Sequence, residues 1–202
     1  MKVLVLYFDA PLQSWGSDSC FNHRNTLAFP TRSGVIGLLS ASLGQDKYSK
    51  DADKNLEIFQ KIKITSFVKT NGEILTDYQT VSGGISVAGD MKHDCILTSR
   101  QYLQSSKFYV LIEGENDLIN QLEVSVKNPV YGGWLGKKNC IPTSPIFKGV
   151  CETFDQAIQS FELNSFESYS DSKEGELSIM DVPLSFASRK FASRNVERNT
   201  TG

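Results

Sequence analysis

An α+β fold, a sheet with helices packed on one face, is predicted by three features of this sequence. Apolar patterning runs in the order strand, helix, strand, strand, helix, strand. Its period switches between 2 and 3.6 residues at boundaries marked by proline, glycine, asparagine and aspartate. Finally, 202 residues with 40% hydrophobic and 22% charged content suffice for one sizeable core, so residues 1–202 read as a single domain. No apolar run approaches the ~20 residues a bilayer span needs. The opening MKVLVLYF is too short for a signal-peptide core and is followed by Asp9, which leaves the cytoplasm as the default location and no membrane partner.

KVLVLYF forms the first strand. A long polar loop follows, and then PTRSGVIGLLSASLG announces a helix. Pro30 stops anything before it, Thr31 or Ser33 supplies a capping oxygen, and Gly34, Gly37 and Ala41 keep one face small for close packing. Val35, Ile36, Leu38, Leu39 and Leu43 recur at helical spacing, and Gly44 suits a left-handed terminator. Asp51 is placed to cap a second amphipathic segment carrying Leu56, Ile58, Phe59 and Ile62. KIKITSFVK alternates, Asn71-Gly72 signals a tight hairpin, and EILTDYQTV reads as the return strand. Ser82 to Asp90 is glycine-rich and reads as a projection. KFYVLIEG is the clearest strand, followed by a helix capped by Asn116 or Asp117 and ended by Asn128-Pro129. YGGWLGKKNCIPTSP is a turn-rich loop, TFDQAIQSF a short helix, Glu162 to Glu176 a polar surface excursion, and the end of the chain an arginine-rich stretch interleaved with Phe186 and Phe191. This order is that of a ferredoxin-like (RRM-like) βαββαβ body with a hairpin insertion at about 76–100 and a C-terminal extension at about 152–202.

Charge narrows the partners. The net charge of −2 argues against a generic nucleic-acid binder, yet acids are absent from Ser19–Gln45, Cys95–Ile112 and Val124–Cys151. Those windows hold Arg24 and Arg32, Arg100 and Lys107, and Lys127, Lys137, Lys138 and Lys148, enough for one basic surface on an acidic protein. Arg24 and Arg32 beside a helix N-terminus form a candidate phosphate site, with Ser33 and Gly34 supplying the first turn. Solvation of a loop is the alternative. Trp15, Tyr102 and Trp134 are candidates for stacking on unpaired bases, with core packing the alternative for each; Trp134, beside Lys137 and Lys138, is favoured. Cys20, Cys95, Cys140 and Cys151 are scattered without a CxxC pair, so neither a metal site nor a disulfide framework is expected, and nothing calls for a cofactor.

PLQSWG, Arg24-x-Thr26 and PTRSGVIGLLSASLG resemble the N-terminal signature of the CasD family, RAMP-type CRISPR-associated subunits of type I-E Cascade complexes. TDYQTV, TSRQYLQSSKFYV, GGWLGKKNCIPTSPIF and SRKFASRNV resemble the family's later motifs in the same order, over most of the chain. The resemblance implies a RAMP-type palm with a protruding thumb hairpin, whose tip would be the Ser82–Asp90 segment. It also implies a non-catalytic role. Such a subunit binds the 5′ handle of crRNA, caps the row of backbone subunits and helps seat the large PAM-reading subunit on the way to target DNA. The RNA-binding set it suggests is Trp15, Arg24, Arg32, Ser33, Gly34, Arg100, Trp134, Lys137, Lys138, Arg189 and Arg194, with the basic C-terminal stretch folding back near the handle. The rival, from the related type I-C branch, is metal-independent cleavage of CRISPR repeat RNA by tyrosine, lysine and histidine. Only His23 and His93 are present; Lys92-His93 with Tyr48 or Tyr78 would be the constellation, and Gln79 stands where a histidine of a DYHTV motif is expected.

Overall fold

The computed structural model describes residues 1–17, 19, 20, 22–85, 89 and 95–200. In chain order its strands are β1 (Lys2–Asp9), β2 (Leu12–Gln13), β3 (Ser19–Cys20), β4 (His23–Arg24), β5 (Lys63–Thr70), β6 (Glu73–Val81), β7 (Ile96–Gln104), β8 (Lys107–Gly114), β9 (Phe147–Cys151), β10 (Glu167–Asp171), β11 (Leu177–Ser185) and β12 (Lys190–Asn199). The helices are α1 (Arg32–Ser42), α2 (Ala52–Glu57), α3 (Asn116–Lys127) and α4 (Phe154–Ser160), with a 3-10 turn at Leu163–Ser165.

The body follows the expected order β1-α1-β5-β8-α3-β9. Its strands lie side by side as β5-β8-β1-β9, the ferredoxin-like arrangement, and the sheet continues past β5 through β10, β12 and β11. Strand alternation sorts β1 between two cores. Leu4, Leu6 and Phe8 face α1 and α3 with Val35, Ile36, Leu39, Ile119 and Leu122, while Val3 and Val5 face α4 with Phe67, Leu111, Ala157 and Leu163.

Thr31 caps α1, accepting a hydrogen bond from the Gly34 amide at 3.3 Å. Gly44 takes the left-handed conformation at φ +74°, where a Cβ would also collide with Val130 at 2.9 Å. Val130 N and Tyr131 N donate to the Ser42 and Ala41 carbonyls at 3.1 and 3.2 Å, so the loop after α3 closes the end of α1. The other expected caps differ. Asp51 occupies the N-cap of α2 without a side-chain bond, and α3 starts from Glu115 with Asn116 and Asp117 inside its first turn, where the Asp117 carboxylate meets the positive end of the helix instead.

Asn71-Gly72 does not turn a hairpin. β5 pairs with β8, and β6 pairs with β7 in a second sheet, so 71–72 is the point at which one long ribbon passes between sheets. The ladder runs from Thr70↔Lys107 to Glu73↔Gln104 without a change of register. Glycine is required at 72 because the strands approach so closely there: a Cβ would lie 2.0 Å from Ser106 Oγ and 2.3 Å from the Gln104 carbonyl. Gly72→Ala is therefore expected to destabilise by about 1–3 kcal/mol as an overpacked contact, read as a shift in denaturation midpoint. The ribbon is built from Glu73–Val81 and Ile96–Gln104, where an insertion at about 76–100 was expected. Part of its expected tip, 86–88 and 90, and the Lys92-His93 pair lie outside the described residues.

The C-terminal extension differs most from expectation. Glu167–Asp171, inside the stretch read as a surface excursion, is β10, an interior strand between β5 and β12. β12 persists to Asn199.

Candidate nucleic-acid interface

The loop between α3 and β9 is folded down onto α1 by its backbone. Ser14 N donates to the Leu135 carbonyl at 3.1 Å, and Leu135 N to the Cys140 carbonyl at 2.9 Å. At Gly136, φ is +96° and a Cβ would stand 1.8 Å from the Ser14 carbonyl, so only glycine lets the two chains meet. Between this loop, the first turns of α1 and the β11–β12 turn lies a cleft of about 350 Å³. Ser33, Gly34, Trp134, Lys137 and Lys138 line it, with Phe186 and Phe191 as the remaining wall. Trp134 is 38% exposed, and the Lys138 ammonium stands 6.0 Å from its ring centre.

Lys137 is the unusual member. Its Nζ is buried, has no hydrogen-bond partner among the described residues, and sits 4.2 Å above the Tyr102 ring. Tyr102 is buried, its hydroxyl accepting from Asn139 Nδ2 at 3.2 Å. Burial pushes the Lys137 pKa down; the neighbouring Cys140 opposes this, while Arg100 and Arg24 add to it. These arginines are brought together by the parallel pairing of β4 with β7, which sets Arg24 directly beside Arg100. Asp77 of β6 faces Arg100 from the other side and partly offsets the fall in the Lys137 pKa. The result is a cluster of three basic side chains, Arg24, Arg100 and Lys137, the last of which also lines the cleft.

Three predicted contact residues are used by the fold itself. Trp15 is 1% exposed, stacked on Phe8 at 5.5 Å beneath Gly34, with Nε1 donating to Gln13 Oε1 at 3.2 Å; it is core and presents no face to a base. Arg32 is also buried. Its Nη1 donates to Asp171 Oδ2 at 2.7 Å and its Nη2 to the Phe59 and Ile62 carbonyls at 2.8 and 3.1 Å. Arg194 donates to Asp181 from Nε at 2.6 Å and from Nη2 at 2.8 Å, and to Asp171 from Nη1. Burial lowers the Arg32 pKa against the pull of Asp171; for Arg194 burial acts the same way but is outweighed by Asp181 and Asp171, which hold it above its ordinary value.

Asp181 also accepts from the Arg32 amide at 2.7 Å, so a carboxylate of the chain already occupies the helix N-terminus that the sequence offered to a phosphate. This ion cluster escaped the sequence reading, though a signal existed: in I-M-D-V-P-L, Asp181 alternates with Ile179 and Pro183 at inward positions. Arg189 sits exposed in the β11–β12 turn at φ +54° and does not line the cleft. His23 and Tyr78, on either side of Ser99 of β7, are exposed, as is Tyr48. Cys95, Cys140 and Cys151 are free thiols.

The family model described as CRISPR-associated protein (Cas_Cas5) matches residues 3–197. The chain belongs to this family. It is similar to the CRISPR system Cascade subunit CasD of Escherichia coli (strain K12), at 31% identity over 210 residues, covering 95% of this chain and 92% of the relative. Among solved structures, one described as a crystal structure of a Cas protein matches with a TM-score of 0.71 and 26% identity, covering 98% of this chain and 93% of the other. A chain of a CRISPR RNA-guided surveillance complex matches with a TM-score of 0.81 at 24% identity over 98% of this chain and 90% of the other, a likeness of fold. The RAMP-type α+β architecture expected from the sequence patterning and the CasD resemblance is thus the one observed.

Proposed function

We propose that this Cas_Cas5 chain is a non-catalytic subunit of a type I-E CRISPR Cascade complex that grips the 5′ handle of crRNA. In this reading it caps the backbone subunits and helps seat the large subunit that inspects target DNA. One observation carries the RNA-binding reading: a buried Lys137 ammonium, without a hydrogen-bond or ion-pair partner among the described residues, flanked by Arg24 and Arg100 at the mouth of the Trp134–Lys138 cleft. A buried cation without a partner is costly, and two more cations beside it raise the cost; an RNA phosphate relieves both. Trp134 and Lys138 then provide a stacking surface and a second phosphate contact, while Ser33 and Gly34 form the floor. Likeness to a Cascade subunit over nearly the whole chain supports the assembly role.

Co-purification with the proteins encoded beside it, followed by sequencing of the bound RNA, is expected to return short RNAs sharing one repeat-derived 5′ end. Lys137→Ala, Arg24→Ala and Arg100→Ala should each weaken binding of that RNA and lower its salt slope by about 0.7 to 1 per lost contact. Unchanged slopes in all three would remove the assignment. The Lys137 pKa, already pushed down, rises when a phosphate pairs with it. Affinity is thus complete below the free-chain pKa of Lys137 and declines as pH rises through it, within the range beneath the ordinary lysine value of 10.5, and Lys137→Arg should shift that decline to higher pH.

A further inference from the structure

The sheet face opposite α1 and α3 is covered by α4 only in part. Val3, Val5, Phe67 and Leu111 are closed over there, and the cover ends at Phe161, whose ring stands 5.7 Å from Tyr109. Beyond it, Tyr7 of β1 and Tyr109 of β8 lie directly opposite one another in the ladder, their ring centres 4.9 Å apart. The strands flanking this pair are both irregular at this level. In β5 the pairing steps from Val68↔Phe108 to Thr70↔Lys107, leaving Lys69 as the additional residue; in β9 it steps from Gly149↔Val5 to Phe147↔Leu6, leaving Lys148. A bulge re-aims the side chain it inserts. Here two bulges on opposite sides bring two ammoniums over one ring: Lys69 Nζ lies 5.3 Å and Lys148 Nζ 4.9 Å from the Tyr7 centre, with Lys69 also 5.5 Å from Tyr109.

Neither lysine has an ion-pair partner among the described residues. The nearby carboxylate, Asp9, is engaged by Lys107 at 3.4 Å. The rings compensate part of the repulsion between the ammoniums, each cation–π contact contributing on the order of 0.5–1 kcal/mol at an exposed site. What the pair lacks is an anion. We propose that this bulge-built lysine pair is a second nucleic-acid contact, taking phosphates of a single strand that runs over the open end of the sheet, with the half-buried Tyr109 ring beside them for a base. Aromatic side chains on the first and third strands of a βαββαβ sheet, facing away from the helices, are well placed for this chemistry. The surface is separate from the cleft, since the first turns of α1 that floor the cleft pack against the other side of the sheet.

The test uses the full chain with photoreactive oligouridylate and oligothymidylate. Lys69→Ala/Lys148→Ala should weaken binding of the oligomers on the order of tenfold at low salt and reduce the salt slope by about 1.4, two contacts at roughly 0.7 each; Lys69→Glu/Lys148→Glu should weaken it further. Cross-links to the peptide containing Tyr109 should vanish in both variants and persist in Trp134→Ala/Lys138→Ala. RNA and DNA binding alike indicates that the site reads phosphate alone, and preference for RNA indicates that it also senses the sugar. Both lysines are exposed, so melting temperatures should fall by no more than the few degrees that the lost ring contacts cost; if the glutamate pair melts early, the alanine pair decides. Unchanged affinity and slope in the alanine pair, or competition by polyglutamate with no cross-link at Tyr109, overturns the proposal.

Discussion

Asp181→Ala is expected to lower stability by about 3–5 kcal/mol, the range for removing one partner from a buried ion pair. Asp181 is buried on β11 and has two functions there. It accepts two hydrogen bonds from Arg194 and one from the amide that opens α1, tying the C-terminal extension to the first helix of the body. Its removal leaves Arg194, itself largely buried, to share Asp171 with Arg32, so two guanidiniums compete for one carboxylate. The amide of Arg32 also loses its acceptor at the end of the helix where a negative charge is favoured. Urea denaturation should show a lower midpoint with little change in slope. A loss under about 1 kcal/mol, typical of an exposed pair, would mean that water enters this cluster freely. Because α1 also floors the cleft proposed for RNA, the same substitution should weaken RNA binding indirectly, without altering its salt slope.

The cluster explains what could and could not be read from the chain. Order and type of the body elements were legible because each carries its own periodicity and its own stop: Pro30 and Thr31 before α1, Gly44 after it, Asn128-Pro129 after α3. The failures share a different character, since each depends on a partner distant in sequence. Asn71-Gly72 has the composition of a turn, yet the neighbours that decide its geometry are Gln104 and Ser106, brought there by the β5–β8 and β6–β7 ladders. Arg32 sits beside a helix N-terminus as a phosphate ligand would, but Asp171 and Asp181 reach it from well over a hundred residues away. Polar composition concealed β10: its backbone is paired on both sides, by β5 and β12, and its Asp171 is held by Arg32 and Arg194, so hydrogen bonds and ion pairs, not an apolar pattern, fix the strand. In the cleft, Trp134, Lys137 and Lys138 were accessible from their clustering in one turn-rich loop, whereas the burial of the Lys137 ammonium over Tyr102 required the fold.

Trp15→Ala is expected to cost about 3–5 kcal/mol, as for other large aromatic residues truncated in a core. The ring fills the space under α1 against Phe8, and its Nε1 hydrogen satisfies Gln13 Oε1, whose amide in turn donates to the Ser106 carbonyl at 2.7 Å. Alanine removes the packing and leaves that buried oxygen without its donor. A double substitution shows why Gly34 is glycine. A Cβ at 34 would stand 2.9 Å from the Trp15 ring, so Gly34→Ala should destabilise the native chain by about 1–3 kcal/mol despite the better helix propensity of alanine. With Trp15→Ala in place the ring contacts disappear and only Thr31 Oγ1 remains close, at 3.0 Å, so the cost of the same Gly34→Ala change should fall by about 1 kcal/mol or more. The reduced cost of Gly34→Ala in the Trp15→Ala background, read from a double-mutant cycle, is the diagnostic measurement. Two additive penalties would mean that the ring and the helix do not press on each other. Loss of RNA affinity in Trp15→Phe at unchanged stability would instead return Trp15 to the RNA interface that its sequence context first suggested.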